Sequence, residues 1–435
     1  MIFVLLFFII FLLIASYYLS NKDVFSPSVL LCCGYMLACI SCIMNIEKWG
    51  VNLHWNTFIF LIFGISSFVI GEVSFRALHP CNAKIGLSPK KERNVFQVTN
   101  FWVILFTIFN IFVLILAFRD IVNANNGSIN SFSEMMNLYR TKLNYEDAEV
   151  ASTLVTQLRK FSKGSAYCFI FVFINNLFCE VGRHKFRRNI KYLFPVILYF
   201  FITLLQGGRM NLIALVCAFL FCSYYQIRRR DGWNKAPSRK FVKWLIVIFV
   251  AVVILFYMLK EVVGRMGNET FFDYITRYIG GSIQLLDIYL NSNSINTVYH
   301  NETFPGLADA LYKLGLSETY IQKSLEFRYS NGVQLGNIYT GLRRYYTDFG
   351  YIGVFVIQFL YAYLFNGFYH KIRKISKYSV GNIWFLVFYS YSIFAILLQA
   401  MEDHFFIHLS IGYFIELMVV GICVYLIFKV KIYLK

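Results

Sequence analysis

Charge is what this sequence has least of. Only 15% of its 435 residues are Asp, Glu, Lys or Arg, against about a quarter in soluble chains. With 58% hydrophobic residues and a mean hydropathy of +0.58, that shortage excludes a water-soluble fold and calls for lipid as the solvent of most side chains. Other absences narrow the chemistry. The chain has no G-x-x-x-x-G-K-[ST] phosphate loop, which argues against ATP-driven transport. It has no H-E-x-x-H and no Cys/His zinc spacing, so no metal site is expected. No D-x-D pair suggests a metal-bound nucleotide-sugar; glycosyl chemistry would have to use a donor that is already activated. Residues 1–14 are continuously apolar but lack a basic leader and an A-x-A-like cleavage site, and read as a retained first span. Cys39 and Cys42 have the spacing of a redox or metal pair, yet no second pair or nearby His accompanies them, so they read as packing, with no disulfide framework.

What is present comes in apolar blocks of a length that crosses a bilayer at about 1.5 Å per residue. Such blocks occupy 1–19, 27–46, 55–75, 100–118, 164–181, 193–206, 210–226, 244–259, 349–369, 381–398 and 409–428. The net charge of +18 is distributed one-sidedly between them. Alternate connections (20–28, 76–99, 182–192, 227–243, 370–380 and 429–435) hold 25 of the 41 Lys and Arg and only three acids, Asp23, Glu92 and Asp231. By the positive-inside rule that side is cytoplasmic, which puts the C-terminus inside and the N-terminus outside. The positive excess is therefore topogenic, and a nucleic-acid partner is not expected. The fold expected is all-α: a single polytopic transmembrane bundle over 1–435 of about eleven spans, with two enlarged outer loops, 119–163 and 260–348, that contain short amphipathic helices.

Loops of that size are uncommon without a use. In the second, Phe304, Leu307, Leu311 and Leu314 recur at helical spacing, which predicts an amphipathic helix on the outer leaflet. Its many tyrosines, among them Tyr274, Tyr278, Tyr289, Tyr339, Tyr345 and Tyr346, fit either interfacial anchoring or stacking on sugar rings.

The most specific local feature is Gly207-Gly208-Arg209, between two spans with almost no loop. An arginine held there is either an interfacial snorkelling side chain or a fixed cation aimed at a lipid-linked phosphate, whose oxygens its planar fork can pair. Arg265 and Arg277 follow the eighth span and Arg343 and Arg344 precede the ninth, so these arginines are expected to converge as a pyrophosphate clamp, with surface ion pairing as the plainer account. Candidate general bases on the outer side are His300, Glu302, Asp348, Glu402, Asp403 and His404, and no spacing chooses among them. Helix N-capping is the plainer role for Asp348. Glu416, well inside a span, is either functional or paired with His408.

The overall plan, the short G-[GS]-R turn (Gly207 to Arg209) and the stretch GNIYTGLRRYYTDFGYIG (Gly336 to Gly353) together resemble the O-antigen polymerases, the Wzy-type oligosaccharide repeat-unit polymerases of bacterial inner membranes. The resemblance implies periplasmic loops and transfer of a growing glycan from undecaprenyl pyrophosphate to the sugar of an incoming lipid-linked repeat unit. It also implies a chain-length regulator and a flippase of the same pathway as partners, and no cofactor. On it, Arg209, Arg265, Arg277, Arg343 and Arg344 are assigned to the pyrophosphate and glycan, and Asp348 or His300 to the general base. A lipid-linked oligosaccharide flippase or other secondary transporter, and an O-antigen ligase, are the alternatives.

Overall fold

The computed structural model describes residues 1–80, 95–125, 131–145, 152–233, 236–265, 269–292, 301–317 and 324–432. With 75% of the chain helical and eight helices long and apolar enough to cross a bilayer among the described residues, it is an all-α membrane protein. The helices are α1 (Ile2–Leu19), α2 (Pro27–Ile43), α3 (Ile46–Trp49), α4 (Trp55–Leu78), α5 (Asn100–Ala124), α6 (Phe132–Tyr145), α7 (Thr153–Cys179), α8 (Lys185–Asn189) and α9 (Leu193–Leu204). They continue as α10 (Met210–Asp231), α11 (Arg239–Met258), α12 (Phe271–Leu290), α13 (Pro305–Lys313), α14 (Gly341–Arg373), α15 (Val380–Ser392), α16 (Phe394–Leu397) and α17 (Ile411–Lys429). The eight are α1, α4, α5, α10, α11, α14, α15 with α16, and α17. Of the remaining apolar blocks, α2 has 17 residues and α9 twelve, and α7 carries Arg159, Lys160 and Lys163 in its first half.

Helices outrun the apolar blocks because backbone hydrogen bonding does not stop where the lipid does. The block at 164–181 is the second part of α7, which begins at Thr153 with Ser152 accepting from the Val155 N–H as its cap. The block at 349–369 lies inside α14, which starts at Gly341 and bends at Gly350, where φ is 63° and ψ −159°.

Close approach of backbones sets the packing, as small residues do inside membranes. Gly64 and Gly71, two turns apart on α4, face Leu342 and the Phe359 carbonyl of α14; Gly34 of α2 faces the Leu397 carbonyl; Gly280 of α12 faces the backbone of Ser41 and Cys42. No disulfide joins two of the described residues, and Cys39 and Cys42 are buried packing residues.

The described parts of the six basic connections gather at one end of the bundle, joined by hydrogen bonds. Asp23 accepts from Tyr224 (2.6 Å) and Tyr369 (2.8 Å), and Arg228 donates to Tyr224 (2.7 Å). Ser26, Glu72 and Arg76 form a triad, Asn176 bridges Phe96 and Asn189, Arg229 reaches the Ser376 carbonyl, and Trp102 reaches that of Val430. At the other end the 260–348 segment is strapped over α2 and α4. Its longest element is α12, and a hairpin of β1 (Arg328–Ser330) and β2 (Val333–Gly336) turns at Asn331-Gly332, both at positive φ, as a two-residue hairpin requires. Ser330 donates to the Trp49 carbonyl (2.6 Å) and Asp287 pairs with His54 (2.9 Å). The amphipathic helix expected from Phe304 to Leu314 is α13: Pro305, Gly306 and Ala308 are buried, while Leu307, Leu311 and Leu314 are exposed on its outer face.

Candidate functional site

The turn between α9 and α10 is closed by Gly207, at φ +69°. Arg140 of α6 lies against it, its Cδ 3.2 Å from where a Cβ on residue 207 would stand, so the 119–163 segment covers the turn. Arg209 is 2% exposed. Its guanidinium stacks on Phe256 (4.0 Å to the ring centre), Tyr274 (5.3 Å) and Tyr278 (5.4 Å), and donates once, to the Phe256 carbonyl (3.0 Å). Among the described residues its Nε and second amino group have no hydrogen-bond partner. Burying a cation on aromatic faces with donors to spare is costly unless an anion completes the site. Arg265 stacks on Tyr278 (5.4 Å), Arg277 on Tyr274 and Tyr278 (5.7 and 5.6 Å), and Lys260 on Tyr257 and Tyr274 (4.6 and 5.8 Å). The half-exposed carboxylate of Glu269 pairs with Arg277 (2.7 Å).

This cationic cluster stands at the head of an apolar groove of about 150 Å³ between α10, α11 and α12, lined by residues such as Ile213, Leu220, Phe249, Val253 and Ile279. Phe256 and Tyr278 belong to both: they end the groove and carry Arg209. The groove exists because α11 stands off the bundle, with Phe256 its one buried residue.

Arg343 and Arg344 do not join that cluster. Arg343 is held between Tyr289 (4.1 Å) and Tyr339 (4.0 Å) and pairs with Glu326 (2.7 Å) and Glu302 (3.6 Å). Arg344 pairs with Glu402 (2.7 Å) and donates to the Glu302 carbonyl (3.0 Å). Burial by itself would raise both partner carboxyls of Arg343. Burial prevails at Glu302, whereas the hydrogen bond and charge of Arg343 hold Glu326 below the usual range. The single clamp expected from the sequence is therefore split into two groups, and the second is neutralised by carboxylates that arrive from segments distant in the chain.

Asp348 is not an N-cap, since α14 begins at Gly341 with Thr340 before it. It lies near the end of the first segment of α14, and its two oxygens accept the backbone N–H groups of Glu302 (3.1 Å) and Thr303 (2.7 Å), pinning the approach to α13. His300 lies outside the described residues. Of the other candidate bases, Asp403 is fully buried. Its Oδ1 accepts from the Phe405 and Phe406 N–H groups (2.8 and 3.0 Å), and burial pushes the carboxyl up to about 6. His404 faces a cavity; burial lowers its pKa, which leaves a neutral imidazole able to take a proton.

That cavity, about 360 Å³, is bounded by α7, α9, α10, α17 and the turn after α16. It is lined by Arg159, Lys160 and Lys163, by Tyr167, Tyr199, Tyr391 and Tyr413, and by His404, His408 and Glu416. Glu416 pairs with Lys163 (2.7 Å), and not with His408 as the intrahelical spacing allowed. Gln206 and Asn211, flanking the Gly207 to Arg209 turn, also reach the cavity, so the turn sits between it and the arginine cluster. Among the described residues no three His, Cys, Asp or Glu side chains gather in a metal-binding group.

No family model matches the chain. Neither does any curated protein or solved structure. What the site can do is accordingly read from its residues. Sequence reasoning missed Arg159, Lys160 and Lys163 by placing them in the 119–163 loop. The available signal was their spacing, which continues the helical period of the apolar block that starts at residue 164.

Proposed function

We propose that this chain polymerises oligosaccharide repeat units carried on undecaprenyl pyrophosphate, by glycosyl transfer at the periplasmic face of the bacterial inner membrane. The observation that carries the reading is an apolar groove ending at Phe256 and Tyr278, on which an incompletely partnered Arg209 is stacked beside Arg265 and Arg277. A ligand complementary to it has a long apolar tail and a compact polyanionic head. In this reading the bundle has eleven spans, the eight long apolar helices together with α2, α7 and α9. The end that gathers the basic connections is cytoplasmic, the N-terminus and the 119–163 and 260–348 loops are periplasmic, and the exposed leucines of α13 rest on the outer leaflet.

In the reaction a hydroxyl of the acceptor sugar attacks the anomeric carbon of the donor glycan. The carbon–oxygen bond to the pyrophosphate breaks as the new glycosidic bond forms, and the hydroxyl proton passes to the neutral His404 imidazole. Arg209 and Arg265 stabilise the negative charge that grows on the leaving pyrophosphate, in a site whose aromatic walls lower the local dielectric. Arg277, paired with Glu269, stands beside them.

The test is the lipopolysaccharide ladder of cells that carry only a variant chain. Arg209→Ala and His404→Ala are each expected to collapse the ladder to a single capped repeat while the protein stays in the membrane at parental level. Uncapped core with polymer still on its carrier would make the chain a ligase, repeats stranded inside would make it a flippase, and an unchanged ladder would remove the polymerase reading.

A further inference from the structure

We propose that the polar cavity beside His404 binds a carboxylate-bearing sugar ring of the acceptor repeat unit, so that this polymerase acts on an acidic glycan. The inference rests on the preceding reading for the word acceptor, but the binding itself does not depend on it. At about 360 Å³ the cavity falls at the lower end of the range for small-molecule pockets, roughly 300–1,000 Å³, a size for one or two sugar residues and not for a lipid.

Charge gives the ligand its class. Three cations line the cavity, Arg159, Lys160 and Lys163, against the single carboxylate of Glu416. Glu416 is engaged by Lys163 at 2.7 Å, and Lys163 also lies over the Tyr391 ring at 4.6 Å. Lys160 is held by the neutral Gln157 amide oxygen (2.8 Å). Arg159 has neither an ion pair nor a hydrogen bond among the described residues, so two positive charges are left over in a partly desolvated space. An arginine in that condition is best completed by a planar carboxylate, which its fork pairs through two oxygens.

The walls give the remainder of the ligand. Tyr167, Tyr199 and Tyr391 line the cavity as a cluster of inclined rings, with ring centres 6.1 Å apart and planes at 62° for Tyr167 and Tyr199, and 5.1 Å and 47° for Tyr167 and Tyr391. The C–H face of a pyranose stacks on such rings, and its hydroxyls find the amides of Gln206 and Asn211. The carrier's own pyrophosphate is the competing anion, and the partition between the two spaces argues against it. Asn211 and Ala214 of α10 face the cavity, while Ile213, Val216 and Leu220 of the same helix face the apolar groove. A tail lying in the groove therefore delivers its head to Arg209, on the other side of α10 from Arg159.

The experiment is saturation-transfer NMR on the full chain in nanodiscs, with no lipid-linked sugar present, comparing glucuronate, glucose and inorganic phosphate. Glucuronate is expected to bind about tenfold or more tightly than glucose, the scale of one charge-assisted pair. Arg159→Gln is expected to abolish that preference and Arg159→Lys to restore part of it; Lys160→Gln carries the same test should Arg159→Gln fail to fold. Equal binding of glucose and glucuronate, or full preference in Arg159→Gln, would overturn the proposal. Displacement of glucuronate by equimolar phosphate would assign the cavity to the carrier's phosphates and overturn it as well. A glucuronate preference together with an intact ladder in Arg209→Ala would leave the cavity assignment standing and remove the polymerase reading.

Discussion

Asp348 shows how a residue that looks chemical from its surroundings in the sequence is taken up by the backbone. Both of its oxygens are engaged by the N–H groups of Glu302 and Thr303, so Asp348→Asn replaces one acceptor with a donor that faces another donor. The expected result is a loss of about 1–3 kcal/mol of stability, seen as a lower unfolding temperature in detergent, with the shape of the pH–rate profile unchanged. A general base would lose the acidic limb of that profile instead. Asp403 makes a prediction of opposite character. Burial pushes its carboxyl up to about 6, against about 3.9 in an unfolded chain, so between those values the folded state holds a proton that the unfolded state has released. Stability contributed by this group is therefore present at low pH and falls as pH rises through that window, by about 3 kcal/mol from end to end. In Asp403→Asn, which keeps the oxygen that accepts from Phe405 and Phe406, the unfolding temperature is expected to lose this dependence between about pH 4 and 6 relative to the parent.

At the scale of elements, the bend in α14 divides the helix into two segments that both meet α4: the one before Gly350 carries Arg343, Arg344 and Asp348 and faces Gly64 through Leu342, and the one after it faces Gly71 through Phe359. Gly350 adopts φ 63° with ψ −159°, a region essentially reserved for glycine. Gly350→Ala is expected to cost about 1–3 kcal/mol, although no neighbouring atom blocks the new methyl group. Gly367, in the same helix, is the control: its added carbon would meet only the Phe75 ring at an ordinary 3.5 Å. Gly367→Ala should be neutral or stabilising by up to about 1 kcal/mol, and thermal unfolding of the two variants side by side checks both. Element positions inside the bilayer were legible in the sequence because a run of apolar side chains is a local signal. The α13 helix was legible for the same reason, its leucines repeating at helical spacing. The 20-residue α12 was not anticipated, although Tyr274, Tyr278, Leu285 and Tyr289 fall at helical intervals and are largely buried. Its polar positions, Asp273, Arg277 and Asp287 among them, gave the segment the look of a solvated loop. They are in fact used against Lys48, Glu269 and His54.

For the whole molecule the decisive test is topology. The tip of the β1–β2 hairpin and the loop after α14 lie at opposite ends of the bundle, and both Gln334 and Lys377 are exposed. In cells with a permeabilised outer membrane, Gln334→Cys is expected to react with an impermeant maleimide and Lys377→Cys only after lysis. The reverse pattern would put the arginine cluster in the cytosol and remove the polymerase reading with it. By itself the sequence determined that this chain lives in a bilayer, where most of its helices run, and that its basic connections share one side. Hydropathy and charge are properties of short stretches, and the membrane acts on each stretch separately. Only the tertiary structure decided which cations remain available to a ligand. Arg343 and Arg344 are neutralised by Glu302, Glu326 and Glu402, and Glu416 is claimed by Lys163 from 253 residues away. Arg209, by contrast, is left on aromatic rings with unused donors. The pairing of charges depends on distance in space, and no interval along the chain encodes it.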